Sequence, residues 1–253
     1  MNHPLERACK WALIVSATLA ALLWLAKDRL PPPSFYDLPS LQDPRQGPVD
    51  RAPFRVEAGK QQYEITPVQA YALDGVVMSY SNADGFTNVW HHRDWKDFIN
   101  LRDLCVVWGE NVASGVYRDV RFENDSWTCW FSWSDAATGA AFRMTQGSNN
   151  HLLVMDDRVK RALMSAEPGD QIRLSGVLAG YRNLGNGAQR GTSTRRDDTG
   201  NGACETIWLD SFEIVRRANP FLRGAFTVFK WLALASLLAW LGAVMFLPYR
   251  PSD

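Results

Sequence analysis

Two kinds of hydrophobic pattern divide the chain. At the ends apolar residues run on with almost no charge; in the middle they recur at every second position. The first end run, residues 11–26, reads WALIVSATLAALLWLA and lies between Arg7 and Lys10 on one side and Lys27 and Arg29 on the other. At 1.5 Å per residue it covers about 24 Å, a little short of a ~30 Å hydrocarbon core. Flanking tryptophans and snorkelling lysines make up the difference. A cleaved signal peptide requires small residues before its cleavage site, and Trp24 fits that position badly. The run therefore reads as an uncleaved anchor. The second, within residues 225–250, has an apolar part of 17 residues from 231 to 247 with no polar face. So many Leu, Ala and Trp residues with no polar face weigh against a helix of a soluble protein, so this is read as a second span.

Between the spans the pattern changes. Residues 30–53 hold seven prolines and few aliphatics, which predicts an extended linker. Residues 63–81 carry strand-forming Val76, Val77 and Tyr80. Residues 104–108 form a buried strand after a mixed aromatic and charged stretch. Residues 127–132 alternate, with Trp127, Cys129 and Phe131 on one face. Residues 156–167 are the one convincing soluble helix: Asp156 or Asp157 caps it, Val159, Leu163 and Ala166 share a face, and Pro168-Gly169 ends it. A strand follows in which Gly176 signals a bulge, then a long polar loop, then a closing strand from Cys204. The expected fold is mainly β, an OB-like partly open barrel with one short helix, flanked by two transmembrane helices. Its parts are an anchor at 1–29, a linker at 30–53, the β domain at 54–217 and a C-terminal helix and tail at 218–253.

Charge and cysteine change this picture little. Twenty-seven basic residues balance 27 acidic ones among 253, which argues against nucleic acid as a partner. Membrane lipid and other envelope proteins are the partners expected, and no cofactor or metal is called for. Two spans place both termini on one side. The basic residues near the spans mildly favour a cytoplasmic middle, but long domains translocate with little regard to charge. The reading adopted is a bacterial inner-membrane protein with a periplasmic central domain. Cys105 and Cys129 pair if their strands are neighbours; otherwise they are buried thiols like Cys204.

Three groups of residues carry candidate chemistry. In the first, Cys204 is a nucleophile, His151 its base, Arg195 or Arg196 holds a developing oxyanion, and Arg217 completes a His-Cys-Arg order. Against this, Glu205 beside the thiol raises its pKa. In the second, Arg195, Arg196, Asp197 and Asp198 open a polar loop offered as a binding segment. Asp197, Thr199, Asn201 and Gly202 also echo the start of a calcium loop, without its later acids, so a tight turn latched by its own aspartates is the simpler reading. In the third, tryptophans including Trp90 and Trp108 form either a core or stacking platforms for sugars or bases.

The stretches YEITPVQAYALDGVV, DLCVVWG, NNHLL, PGDQIRLSGVL and RRDDTGNGACE, in that order, carry a resemblance. The chain resembles a family of uncharacterised proteobacterial membrane-anchored proteins, and Asp198 to Glu205 (DTGNGACE) is the most specific part. The resemblance implies the membrane-anchored architecture without naming a reaction, and it implies other residues at Cys105 and Cys129. The order and spacing of His151, Cys204 and Arg217 are also similar to sortases, although Gly202-Ala203 precedes the cysteine where sortases carry a Thr-Leu-x-Thr strand motif. The function expected is non-enzymatic binding or scaffolding in the envelope, with a Cys-His hydrolase or transpeptidase as the alternative.

Overall fold

The computed structural model describes residues 3–83, 92–125, 127–198 and 203–246. They form two units, one of residues 30–218 and one made from the two chain ends. In the terminal unit, helices Pro4–Ala26 and Pro220–Phe246 are long and apolar enough to cross a membrane. Large apolar side chains such as Trp11, Trp24, Leu238 and Phe246 face outward from them. Small residues are the buried ones, Ser16 and Ala243, as expected where two helix backbones approach closely.

The central unit is mainly β. Its strands are β1 (Arg45–Gly47), β2 (Phe54–Ala58), β3 (Gln61–Asn82), β4 (Asn100–Val107), β5 (Arg121–Asn124), β6 (Cys129–Ser132), β7 (Gly147–Leu153), β8 (Gln171–Asn183), β9 (Gln189–Arg190) and β10 (Glu205–Arg216). β3 pairs antiparallel with β8 over Tyr63 to Val76 and with β4 over Val76 to Asn82. β4 pairs with β7, β7 runs parallel to β10, and β10 pairs with β8. The pairings thus return to the strand from which they start. β5 and β6 form a separate hairpin between β4 and β7.

Local chemistry accounts for the bends. Gly176 lies opposite Leu209 where the β8–β10 register slips past Asp210. A Cβ there would meet the Trp208 carbonyl oxygen at 1.9 Å, so no other residue fits. This is the bulge its sequence position predicts. β3 shifts register between Pro67 and Gln69, the kind of bulge at which a strand tolerates proline.

The predicted helix is Asp157–Met164, with Asp156 as its cap: the carboxylate accepts from Arg158 N at 2.8 Å and Val159 N at 2.9 Å. Leu163 and Ala166 enter the core and Val159 packs against it. The fully buried Arg102 closes the other end, its Nη1 donating to the carbonyls of Leu163 at 2.9 Å and Ala166 at 2.8 Å. Two shorter helices, Glu110–Ala113 and Ala136–Ala141, were not expected from the sequence.

Two expectations are corrected. Residues 30–53 do not run as a detached spacer. Tyr36 and Leu41 are buried in the core, and β1 pairs with β3. Prolines fix two tight turns, Pro33–Phe35 and Leu38–Ser40, and these few apolar anchors are enough to dock the segment. Trp108 is not a binding residue: it is fully buried and its Nε1 donates to Asp43 at 3.0 Å. The question of Cys105 and Cys129 is also answered, since they form a disulfide with Cα atoms 5.6 Å apart. The bond ties the β5–β6 hairpin to β4, and a cross-link of this span is worth about 3 kcal/mol.

Leu163 tests the docking of the helix. Leu163→Ala should cost about 2–4 kcal/mol through the cavity it leaves, while the exposed Arg158→Ala should stay within about 0.5 kcal/mol of the parent. Thermal melting of the membrane-embedded protein reads both; equal midpoints would mean that the helix is a surface appendage.

Candidate functional site

A cleft of about 1020 Å³ opens at one part of the β unit. Its described walls come from Tyr63 on β3, Trp95 and Asp97 after β3, the hairpin residues Trp127 to Phe131, Met144, Thr145 and the start of β7, Tyr181 and Asn183 on β8, and loop residues within 188–198 and 203–205.

The loop is stitched down from within. Ser193 N donates to Cys204 O at 3.0 Å. Thr206 N donates to Thr192 Oγ1 at 3.0 Å, and Thr206 Oγ1 donates to Gly191 O at 2.8 Å. Ser193 Oγ donates to Asp198 and accepts from Arg195 N at 3.0 Å. Arg195 grips Asp197 with two bonds, at 2.9 and 3.0 Å. Arg196 forms an ion pair with Glu205, whose side chain is 2% exposed. Of the latch reading, the described residues carry the Arg195–Asp197 pair and an arginine partner for Glu205. Thr199, Gly200, Asn201 and Gly202, on which the tight-reversal and calcium-loop readings rest, lie outside the described residues. No cluster of potential metal ligands occurs among the described residues.

The hairpin supplies the aromatic wall. Asp125 caps its turn, accepting from Trp127 N at 2.9 Å and Thr128 N at 2.8 Å, and its other oxygen accepts from Trp130 Nε1 at 2.9 Å. Trp95 leans on Trp127 with centroids 5.2 Å apart, and the Arg190 guanidinium sits 4.4 Å from the Trp127 ring centroid. Trp95 and Trp130 remain 46% and 57% exposed, so their faces are available to a ligand. Of the tryptophans singled out in sequence, Trp90 lies outside the described residues. The signal for Trp130 was its place on the polar face of an alternating strand: a large aromatic where the pattern calls for a polar residue.

The proposed catalytic set is not assembled. Arg217 donates to the carbonyl and hydroxyl of Ser165, at 3.2 and 3.0 Å, away from the cleft residues. His151 is fully buried with Nδ1 2.8 Å from Oδ1 of Asp103, its register partner on β4. Cys204 does line the cleft, but its sulfur contacts Asn149 Nδ2 and the Trp127 carbonyl, each at 3.7 Å, and not His151. Burial pushes the thiol above its ordinary range, and the Asn149 bond offsets this only in part. A thiol so placed is a poor nucleophile at neutral pH.

Comparisons with family models, curated proteins and solved structures return no match.

Below the cleft lies a polar layer that no single sequence motif announces. Asn149 donates to the Trp127 carbonyl at 3.0 Å and accepts from Asn124 at 3.0 Å, and Asn124 accepts from Ser79 at 2.6 Å. Asp97 accepts from the Tyr181 hydroxyl and from the N–H groups of Ile99 and Asn100, at 3.3 and 3.2 Å. These bonds hold the aromatic wall and the sheet in one register.

Glu205 gives this site a pH signature. Burial raises its carboxyl from 4.5 to about 7, with Arg196 opposing the shift. An acid whose folded pKa lies above its unfolded one binds more protons when folded. Its contribution is therefore full below about pH 4.5 and is lost as pH rises through 7, by about 2–3 kcal/mol. Glu205→Gln removes that slope. The stability difference, parent minus variant, should fall by this amount between pH 4.5 and 7.5 in denaturant titrations; a difference that stays flat would contradict the buried carboxyl.

Proposed function

We propose that residues 30–218 form an OB-like barrel that serves as a binding module, with the cleft as its ligand site. The module is anchored by two spans in a bacterial inner membrane, faces the periplasm, and works with other envelope proteins without catalysing a reaction. The fold reading is supported by the ring of pairings β3–β4–β7–β10–β8–β3, by the parallel β7–β10 contact, and by the helix between β7 and β8. In such barrels ligands are taken by the loops after the first and fourth strands. Trp95 belongs to the former here, and Arg190 to Cys204 to the latter. The analogy is one of fold alone.

The observation that carries the binding reading is the cleft itself: a large hollow with exposed aromatic faces and a hydrogen-bonded floor. The Cys105–Cys129 disulfide supports an oxidising compartment. The elevated thiol of Cys204 and the pairing of His151 with Asp103 weigh against the hydrolase alternative.

Photo-cross-linking in living cells tests the binding reading. A benzophenone amino acid in place of Trp130 should give a discrete adduct on illumination. The same group in place of Val68, an exposed position on β3 outside the cleft, should give none. Equal labelling from both positions, or none from Trp130, would contradict a ligand site in the cleft.

A further inference from the structure

Charge and shape in the cleft narrow the class of ligand. A site for an anion or a cation leaves complementary charge unpaired and aimed at the ligand. Here the charged side chains are already engaged within the protein. Arg195 is bound to Asp197, Arg196 to Glu205, and Asp97 to Tyr181 and two backbone N–H groups. Arg190 spreads its guanidinium over Trp127. The described lining carries three arginines against four carboxylates, so no basic surface awaits phosphate or another polyanion.

A peptide held by β-augmentation needs a free strand edge to pair with. β7 is paired on both sides, by β4 and β10. The edge strands at the cleft are β9, two residues long, and β6, four residues long and paired only with β5. Both edges are short for holding a peptide by β-augmentation.

What the cleft does offer is flat aromatic surface beside short neutral polar side chains. Trp95 and Trp130 are exposed, and Thr145, Gln189 and the half-buried Thr128 line the same space. Aromatic faces accept the C–H face of a sugar ring, while amides and hydroxyls exchange hydrogen bonds with its hydroxyls. The volume of about 1020 Å³ lies at the top of the ~300–1,000 Å³ range of small-molecule sites. It suits several linked units better than one.

We propose that the cleft binds an uncharged oligosaccharide, with Trp95 and Trp130 as stacking platforms. This rests on the binding reading above and deepens it. The test uses the full chain in lipid nanodiscs, since sugar-headed detergents would compete. Cellotetraose, chitotetraose and maltotetraose are titrated by calorimetry, beside a hyaluronan tetrasaccharide and tetra-alanine. At least one neutral tetrasaccharide should bind. Trp130→Ala and Trp95→Ala should each weaken it about tenfold or more. Trp133→Ala, exposed but outside the cleft lining, should leave it unchanged. Binding of the anionic sugar or the peptide in preference would overturn the proposal, as would neutral binding indifferent to both cleft tryptophans. If no probe binds while the adduct from position 130 still forms in cells, the saccharide class is wrong and the binding reading stands. If the adduct is also absent, both fall.

Discussion

One strand carries the constraint on which the rest of the structure depends. β3 runs from Gln61 to Asn82, 22 residues, against a usual three to ten, about 5–6 at the mode. A flat strand of that length would pair with one neighbour on each side throughout. β3 instead hands over from β8 to β4 at Val76, which is paired with Gln171 and Val107. The bend is made affordable by register shifts at Pro67 and between Val77 and Ser79, and by Gly75. A Cβ at Gly75 would lie 2.3 Å from Val106 Cγ1. Because the pairings close through this strand, the segment after β3 and the segment between β8 and β10 both reach the same cleft.

Electrostatics then shape that cleft from below. Asp103 and His151 face each other across β4 and β7, both almost fully buried, and Arg196 meets Glu205 at the start of β10. A buried ion pair such as Arg196–Glu205 adds little net stability, because desolvation offsets most of the attraction. Removing one partner is costly, however, so it fixes position strongly. The Arg196–Glu205 pair places the polar loop, and Arg195, Asp197 and Asp198 are bonded within it. A neutral, hydroxyl-rich ligand is the chemical counterpart of such a surface.

Much of this was legible in the sequence where the signal is local. The apolar end runs read directly as helices, Asp156 read as a cap, and Gly176 read as a bulge, because each depends on residues within one turn or one strand pair. The pairing of Arg195 with Asp197 two residues on was likewise local. What was hidden depends on distant partners. Residues 30–53 have the composition of a linker, yet the contacts of Tyr36 and Leu41 dock them. Trp108 looks like any other tryptophan until Asp43 is seen at its Nε1. The sortase-like spacing of His151, Cys204 and Arg217 was a coincidence of order. His151 is turned to Asp103 and Arg217 to Ser165. The disulfide follows from hairpin placement that spacing does not reveal.

The central claim is that β3 belongs to both halves of one closed sheet and so unites the walls of the cleft. Amide hydrogen exchange along β3 in the full-length, membrane-embedded protein measures this most directly. The account predicts that the paired amides of 63–76 and of 77–82 are the slowest in the chain and lose protection together, at the free energy of global unfolding. If the 77–82 amides exchange through local opening, well before those of 63–76, the sheet is not closed through β3 and the cleft is not a single site.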